Sequence, residues 1–359
     1  MNLKAIYNDA RRASTGGGKS VILQILDIVK LRLGPTKLGA DDYYLYELYK
    51  NHYSFRDKSK FLGWRASETI DRILNLDEWR EFANDKLKFH IKMSENGFRT
   101  PKIKAIFHDR HLNIPDIKQL TTAEEAEVFL LNSDIYPVFM KPVHGTYGRG
   151  GFSVLSVCKE TKSLKIGNGT KTPVSDVVKK FGEKWTNGYI IQELLTPHPE
   201  VEALVGQRLS SVRVIVLRIN DKPHIFRAVW KLPTGNNMSD NFMHGELGNL
   251  IANVNPSNGN VTNVVGKVNG RIDESRSHPD TGCEISGLSV PMWTQIVQYC
   301  ESASDLFPGL SMQHWDIAIC PEGPNALELN VEGSLDLHQL AARSGVYTDE
   351  LINALRLKR

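Results

Sequence analysis

The 359-residue chain is poor in cysteine and has no long apolar run. Its four cysteines, at positions 158, 283, 300 and 320, are scattered, without a CxxC pair or a His/Cys spacing typical of zinc. We therefore expect reduced thiols in a cytoplasmic protein. No apolar stretch reaches the ~18–20 residues that a membrane-spanning helix needs. Residues 1–20 also lack the apolar centre of a signal peptide.

The chain also has no large excess of basic or acidic residues. The chain has 44 Lys and Arg against 41 Asp and Glu, mixed along its length, so the basic footprint of a nucleic-acid-binding protein is absent. Apolar and charged residues, at 41% and 24%, occur at the levels of ordinary globular proteins. The length exceeds one average domain and allows a large core.

Residues 14–20, STGGGKS, come close to a Walker A phosphate loop without completing it. That motif requires a glycine where Ala13 stands, and charged residues precede it instead of a buried strand. We interpret the stretch as a flexible loop. Helical spacing of apolar residues then predicts helices over 21–33, 40–53, 67–74 and 76–82. Residues 1–75 thus form a mostly helical region without evident chemistry.

Residues 138–154, VFMKPVHGTYGRGGFSV, predict a strand, a glycine-rich loop and a second strand. Glycines let a backbone approach a ligand closely, and successive loop N–H groups can point at phosphate oxygens. Lys141 adds a mobile positive charge at the start of the loop. The candidate phosphate-binding residues after it are Gly145, Thr146, Tyr147, Gly148, Arg149, Gly150 and Gly151. The alternative is a flexible hairpin with a solvated lysine.

Three further segments carry candidate site residues. A helix predicted over 84–97 places Lys86 in its first turn, where a cation is slightly disfavoured by the helix dipole. A strand over 188–195 ends in the polar pair Gln192-Glu193. Strands over 209–219 and 224–231 are predicted to pair, with Arg213 on the first. Residues 232–249 are too long for a turn and are predicted to be a lid or binding loop, the alternative being a disordered surface loop.

A hairpin near the C-terminus carries oxygen ligands on one face. Glu328 and Asn330 are two residues apart on a predicted strand, so both side chains leave the same face. Asp316 is expected on the partner strand, near the place where Asn330 pairs. Carboxylate and amide oxygens suit Mg²⁺, whereas the alternative is a polar outer sheet face. His314 should share the face; as a ligand it would favour a softer metal such as Mn²⁺ or Zn²⁺.

Taken in order, these segments resemble an ATP-grasp enzyme over about residues 80–345. More narrowly, SVRV at 211–214, SDNF with the glycine at 239–245, and ELNV through GSLD at 328–336 resemble the sugar-transfer-associated ATP-grasp family. The resemblance implies an α+β fold in which two α+β lobes grip ATP between antiparallel sheets. It divides the chain into the helical region 1–75 and an ATP-grasp domain 76–359. The expected lobes are about 132–195, with the glycine loop, and about 196–345, with the metal site.

The resemblance also implies roles. Lys86 and Lys141 would touch the nucleotide phosphates, and the glycine loop would close over them. Adenine would be held by the hinge Gln192, Glu193, Leu194 and Leu195, and the ribose by Glu200. Asp316, Glu328 and Asn330 would bind two Mg²⁺ ions, which Mn²⁺ could replace. Arg213 would face the γ-phosphate or an acyl-phosphate, with Lys141 also catalytic. Arg213 and Lys231 could stabilise a tetrahedral oxyanion, and His244 could accept the amine proton.

The implied activity is that of an ATP-dependent carboxylate–amine ligase, which forms an amide bond through an acyl-phosphate. Its partners would be a small carboxylate and a small amine, such as an amino acid and a sugar-derived acid or amine in polysaccharide or natural-product biosynthesis. No nucleic acid or membrane span is expected, and an oligomer is left open. The alternatives are a phosphotransferase on the same fold and a nucleotide-binding protein without turnover. Two departures from the family pattern are the proline-rich hinge loop at 196–199 and the helical N-terminal region.

Overall fold

The computed structural model describes residues 3–112, 114, 116–145, 150–184, 188–268, 270–331, 333 and 335–358. Within these ranges the chain forms thirteen α-helices and fourteen strands, and the strands make two seven-stranded sheets. The predicted α+β class is therefore confirmed. None of the helices in the described ranges is both long and apolar enough to cross a bilayer.

Seven helices precede the first strand. They are α1 (Leu3–Thr15), α2 (Val21–Leu33), α3 (Ala40–Leu45), α4 (Phe55–Lys58), α5 (Trp64–Leu74), α6 (Asp77–Asn84) and α7 (Lys86–Glu95). The remaining helices lie between or after strands. They are α8 (Ala123–Leu130), α9 (Val174–Lys184), α10 (Pro199–Val205), α11 (Trp293–Ser304), α12 (Asp336–Ala342) and α13 (Asp349–Leu357). The predicted second helix over 40–53 is shorter than expected, since α3 ends at Leu45 and turns follow.

The first sheet has the strand order β2-β1-β7-β3-β4-β5-β6 and is antiparallel except for the β1–β2 pair. Its strands are β1 (Ile103–Phe107), β2 (Lys118–Leu120), β3 (Val138–Pro142), β4 (Phe152–Cys158), β5 (Ser163–Ile166), β6 (Lys171–Pro173) and β7 (Tyr189–Glu193). The central strand pair β3–β4 matches the predicted strand, loop and strand. Residues 171–173 pair with β5, and helix α9 begins directly after them at Val174.

The second sheet is antiparallel throughout, in the order β12-β11-β10-β9-β8-β13-β14. Its strands are β8 (Ser211–Ile219), β9 (Lys222–Leu232), β10 (Leu250–Val254), β11 (Val261–Val268), β12 (Arg271–Glu274), β13 (Met312–Cys320) and β14 (Gly323–Asn330). Alternation along β8 sends Val212, Val214 and Val216 into a core shared with α7 and α11. The Arg213 side chain leaves the opposite face, where the polar groups of the site lie.

The N-terminal helices pack on this same polar face of the second sheet, beyond the charged groups. Tyr46 and Phe61 share a buried cluster with Val229 and Ile251 of the sheet. The C-terminal segment joins them: the Leu62 N–H donates to the Gln339 side chain at 2.7 Å. The Tyr347 N–H likewise donates to the Lys60 carbonyl at 2.9 Å. Residues 3–75 thus contain helices and no strand, and they share a core with the second sheet.

Candidate active site

A cavity of about 420 Å³ lies between the two sheets. Both sheets, the hinge after β7 and the loop after β9 contribute to its wall. The predicted site residues that line it are Lys86, Lys141, Gly145, Gly151, Gln192, Glu193, Leu194, Leu195, Lys231, Asp316 and Glu328. Residues up to 242 positions apart in sequence, Lys86 and Glu328, therefore meet in one place. Predicted residues at 146–149 lie outside the described ranges.

Two lysines approach the cavity from the side of the first sheet. Lys141 lies on β3, and its Nζ is 3.4 Å from the Leu327 carbonyl oxygen of the second sheet. Burial lowers the pKa of Lys141 to about 8, with nearby Lys86 adding to the effect and Glu328 opposing it. Lys86 is the first residue of α7, because Asp85 caps that helix by accepting from the Leu87 and Lys88 N–H groups. Its Nζ donates to the Gly145 carbonyl at 2.6 Å.

The ends of the glycine loop adjoin these lysines. Gly145 and Gly151 line the cavity, and Gly150 has a φ of 82° that favours glycine. The Tyr189 hydroxyl donates to the Gly150 carbonyl and ties this end of the loop to β7. The loop therefore begins and ends at the cavity wall.

The predicted hinge also reaches the cavity. Gln192 is buried, and Glu193 at the end of β7 accepts from the Lys102 N–H at 2.8 Å. Leu194 and Leu195 complete this part of the wall. Glu200 is exposed on α10 and lies outside the described lining, so its contact with a ribose stays a prediction.

On the second sheet, a network of ion pairs surrounds Asp316. The Arg213 guanidinium donates to both carboxylate oxygens, with distances of 2.8 and 2.6 Å. Lys231 lies 3.2 Å from Asp316 and 3.2 Å from Asp240. Asp240 in turn accepts from the Ser211 N–H and hydroxyl at 2.9 and 2.6 Å. Two buried cations thus alternate with two carboxylates.

The network shifts the pKa values of its members. Burial alone would raise the pKa of Asp316, but Arg213 and Lys231 hold it well below its usual range. Burial likewise opposes charge on Lys231, whose pKa is nevertheless raised by Asp240 and Asp316. Arg213, Lys231 and Asp316 therefore remain charged near neutral pH. Paired buried charges of this kind are held in fixed positions.

The β13–β14 hairpin places Asp316 close to the position that pairs with Asn330, as the sequence predicts. Asp316 lies opposite Glu328, and Asn330 lies opposite His314, with a register shift after Asp316. Asp316 therefore lies two residues from the position that pairs with Asn330, within β13, which begins at Met312. Residues 314–331 of this hairpin contain no Lys or Arg, but the neighbouring strands supply Arg213 and Lys231.

The donor set of this hairpin suits a hard cation. Glu328 lines the cavity and accepts from the Asn330 amide at 3.2 Å, while its other oxygen is 3.9 Å from Lys86. Asp316 also lines the cavity, although two cations already bind it. Among the described residues, no group of three His, Cys, Asp or Glu side chains is placed to hold a metal. A site of few carboxylates completed by phosphates and water is the arrangement that Mg²⁺ uses.

Two predicted histidines lie away from the cavity lining. His314 is fully buried, and burial together with Arg213 lowers its pKa to about 3, so it is neutral. It packs against Gly333 and lies 6.5 Å, ring to ring, from His338. His244 lies in a 3₁₀ turn, Met243–Gly245, and pairs with Asp336 at 2.6 Å. This hydrogen bond raises the pKa of His244.

The long loop after β9 is built around one asparagine. The Asn249 side chain donates to the Ser239 and Asn241 carbonyls at 2.9 and 2.8 Å and accepts from the Thr234 N–H at 2.9 Å. Asn249 itself is fully buried. Residues 235–241 line the cavity, so this segment is a structured wall.

Sequence reasoning missed several groups in this wall. Asp240 stood inside the SDNF motif, yet no role was assigned to it. Gln207 and Arg208 precede β8, and Gly167 and Asn168 turn between β5 and β6; all four line the cavity without any local pattern that signals it. The apolar surfaces come from Phe139, Leu155 and Leu327.

Comparison with known proteins agrees with this geometry. The family described as sugar-transfer associated ATP-grasp matches residues 66–353. The comparison with curated proteins finds no match. Among solved structures, the ATP-grasp ligase PsnB with its minimal precursor is 14% identical, with a TM-score of 0.42, over 80% of this chain and 64% of its own.

Two further solved structures are similar at the same level. The L-amino acid ligase from Bacillus licheniformis is 15% identical (TM-score 0.41, 77% of this chain and 48% of its own). The D-alanyl-alanine synthetase A from Vibrio cholerae is 10% identical (TM-score 0.44, 79% and 67%). The chain thus spans less than two thirds of the length of PsnB and of the Bacillus ligase.

Proposed function

Because the chain belongs to the sugar-transfer associated ATP-grasp family, we propose that it is an ATP-dependent carboxylate–amine ligase. One observation carries the proposal: a single cavity gathers Lys86, Lys141, Glu328 and Asp316 between the two sheets. Cations and hard oxygen ligands in one cavity suit a nucleoside triphosphate with its metal.

ATP would lie across this cavity. Lys86 and Lys141 would contact the phosphates, exchanging the carbonyl oxygens that they now bind for phosphate oxygens. The glycine loop, including Thr146, Tyr147, Gly148 and Arg149, would supply backbone N–H groups. Leu194 and Leu195 would hold adenine through their backbone, between the apolar side chains of Leu155 and Leu327. Glu200 is proposed for the ribose hydroxyls.

Glu328 and Asn330 would hold Mg²⁺ against the phosphates, with Asp316 as a further ligand. When bound, the metal neutralises charge on the transferring phosphoryl group. We propose two ions, and Mn²⁺ should substitute. The two carboxylates face each other across the β13–β14 pair, which supports this assignment.

In the proposed reaction, a substrate carboxylate oxygen bonds to the γ-phosphorus of ATP while the bond to the bridging oxygen breaks, giving an acyl-phosphate and ADP. An amine nitrogen then attacks the acyl carbon, loses a proton, and expels inorganic phosphate. Lys231, which lines the cavity, would stabilise the oxyanion directly. Arg213 would act through Asp316, which it binds. His244 is proposed to take the amine proton, and its bond to Asp336 favours the charged form.

The test pairs candidate carboxylates with candidate amines and measures ADP and inorganic phosphate together. A ligase releases both in equal amounts, and only when both substrates are present. Hydroxylamine added instead of the amine should trap the acyl-phosphate as a hydroxamate. The Lys141→Ala variant should abolish both signals, and Lys165→Ala, an exposed lysine of the same sheet, serves as the matched control.

Other results would replace the proposal. Stoichiometric ADP with a stable phosphorylated product and no free phosphate would make the protein a phosphotransferase. ATP binding without ADP release under any acceptor would make it a nucleotide-binding protein without turnover. We propose small substrates, a cytoplasmic location and a biosynthetic role; the four free cysteines are compatible with a reducing compartment.

A further inference from the structure

Helix α2 turns its apolar side to solvent. Ile22 and Leu33 are 71% and 77% exposed, although both are large aliphatic side chains. The other exposed apolar residues of the helix are Leu23, Ile25, Leu26 and Val29. A contiguous exposed patch of this kind marks an interaction surface in most proteins. The helix lies outside the residues that match the family, so the site chemistry does not account for it.

The buried side of the same helix carries two polar residues, Gln24 and Asp27, beside Leu31. Gln24 is fully buried and donates to the Ala10 and Lys19 carbonyls at 3.1 and 2.7 Å. Its side-chain oxygen accepts from the Tyr44 hydroxyl at 3.1 Å. The helix therefore buries Gln24 and Asp27 while six large apolar side chains face outward.

A buried ion pair fixes the helix in this rotation. Asp27 accepts from the fully buried Lys58 at 2.6 Å, from Lys19 at 3.1 Å and from the Tyr43 hydroxyl at 3.2 Å. Turning the helix to bury its apolar side would separate Asp27 from Lys58 and leave a buried charge unpaired. The outward apolar face is thus held in place by the fold.

Basic residues flank the apolar stripe. At 3.6 residues per turn, Ile22, Ile25, Leu26, Val29 and Leu33 fall within an arc of about 100°. Lys30 and Arg32 lie about 80° to either side of its centre, and both are exposed. Long basic side chains in this position can keep their charge in water while their stems cover apolar surface.

The surrounding region is positively charged. Residues 1–75 contain thirteen Lys and Arg against eight Asp and Glu, whereas the rest of the chain has a slight excess of acids. Between residues 6 and 33 no described Asp or Glu is exposed, since Asp9 is half-buried and Asp27 is buried. Exposed aromatic rings adjoin basic groups here: Arg11 lies over Tyr7, and Lys30 lies over Phe55 at the end of α2.

We propose that this face of α2 docks the protein on an anionic lipid surface. An apolar stripe flanked by Lys and Arg, with aromatic rings beside it, is the pattern of a helix that lies in the interface of a bilayer. A second copy of the chain fits less well. Its α2 would bring the same positive charges against this one, and six apolar side chains are few against the ~20–30 residues per side of a stable dimer.

Vesicle co-sedimentation of the full chain tests the proposal. Binding is expected to vesicles of phosphatidylcholine with phosphatidylglycerol and not to phosphatidylcholine alone, and it should weaken as salt rises. The variant Ile22→Gln with Leu33→Gln should bind at least about tenfold more weakly. Lys30→Gln with Arg32→Gln should lose part of the binding, most clearly at low salt.

The matched control is Val128→Gln with Leu357→Gln, two exposed apolar residues on other helices. It should bind like the wild type, and circular dichroism should show all variants folded. Absence of binding by the wild type, or equal binding by the α2 variant, would overturn the proposal. A concentration-dependent dimer that the α2 variant abolishes, without lipid binding, would assign the face to a second copy instead. None of these readouts depends on catalytic activity.

Discussion

The two sides of the cavity hold their charged groups in different ways. On the second sheet, Asp316 is bound by Arg213 and Lys231, so cations and carboxylates satisfy one another. From the first-sheet side, Lys86 and Lys141 donate to backbone carbonyls, of Gly145 and Leu327. One side is closed by mutual ion pairs, whereas the lysines of the other donate to neutral carbonyls, and Lys86 lies 3.9 Å from Glu328.

This difference assigns different tasks to the two sides. A lysine bound to a carbonyl can exchange it for a phosphate oxygen, because a charged acceptor makes the stronger hydrogen bond. The Arg213 guanidinium, which donates to both oxygens of Asp316, would lose more hydrogen-bond energy if it exchanged that carboxylate for a phosphate. The second sheet therefore provides a fixed electrostatic frame, and the first-sheet side provides the groups that respond to nucleotide.

The largest effect is expected on stability, from the second sheet. Asp316→Ala leaves Arg213 and Lys231 buried together without their carboxylate, which should lower the free energy of unfolding by ~3–5 kcal/mol. Urea denaturation measures this change. The control Glu68→Ala removes an exposed pair with Arg72 and should change it by less than about 0.5 kcal/mol. Equal losses in the two variants would mean that the network does not hold the sheet.

The first-sheet side should show the opposite pattern. Lys141→Ala is expected to lower kcat/KM for ATP by ~10³-fold, because the transferring phosphates lose a neutralising charge. The free energy of unfolding should stay the same or rise, since a buried and desolvated cation has been removed. Steady-state kinetics and denaturation of the same preparation give both values. Turnover near that of wild type in a folded variant would remove Lys141 from the site.

A smaller effect should appear with pH. Because burial lowers the pKa of Lys141 to about 8, the free protein loses this charge as the pH rises through that value. Bound phosphates favour the charged form, so ATP affinity should be constant below the pKa and weaken above it, by at most about tenfold per pH unit. Calorimetry at several pH values measures the affinity. The Lys141→Arg variant keeps its charge and should lose this dependence; an unchanged profile would assign it to another group.

The smallest effect concerns the loop after β9. With Asn249 and Asp240 holding it, its amide hydrogen exchange should change little when an ATP analogue and Mg²⁺ are added. Exchange at Gly145 and Gly151 should slow more. Asn249→Ala should speed exchange over residues 234–249 without nucleotide, because four side-chain hydrogen bonds are lost. A large ATP-dependent slowing over 234–249 in the wild type would instead show that this loop closes as a lid.

Local pattern predicted much of the site. The strand, glycine loop and strand of 138–154 and the hairpin carrying Glu328 and Asn330 depend on neighbours in sequence, where the two-residue period of a strand decides which side chains share a face. The ATP-grasp family was recognised from the order of such segments. These features need no knowledge of distant contacts.

The features of the site that local pattern did not predict depend on contacts between residues far apart in the chain. Arg213 and Asp316 are 103 residues apart, and their pairing follows from β8 lying beside β13, which no spacing in the chain reveals. Asp240 and Asn249 act through loops that fold around buried polar groups. The register shift that follows Asp316 in the β13–β14 pair is likewise not visible in the local sequence pattern.

The hydrogen bonds that join residues 60–62 to the C-terminal segment have a consequence for synthesis. Lys60 and Leu62 complete their backbone hydrogen bonds only with Tyr347 and Gln339, which leave the ribosome nearly three hundred residues later. At ~5–20 residues per second, the N-terminal helices wait tens of seconds for these partners. Their docking onto the second sheet is therefore a late event in folding, and a chain released early would carry an unfinished N-terminal region.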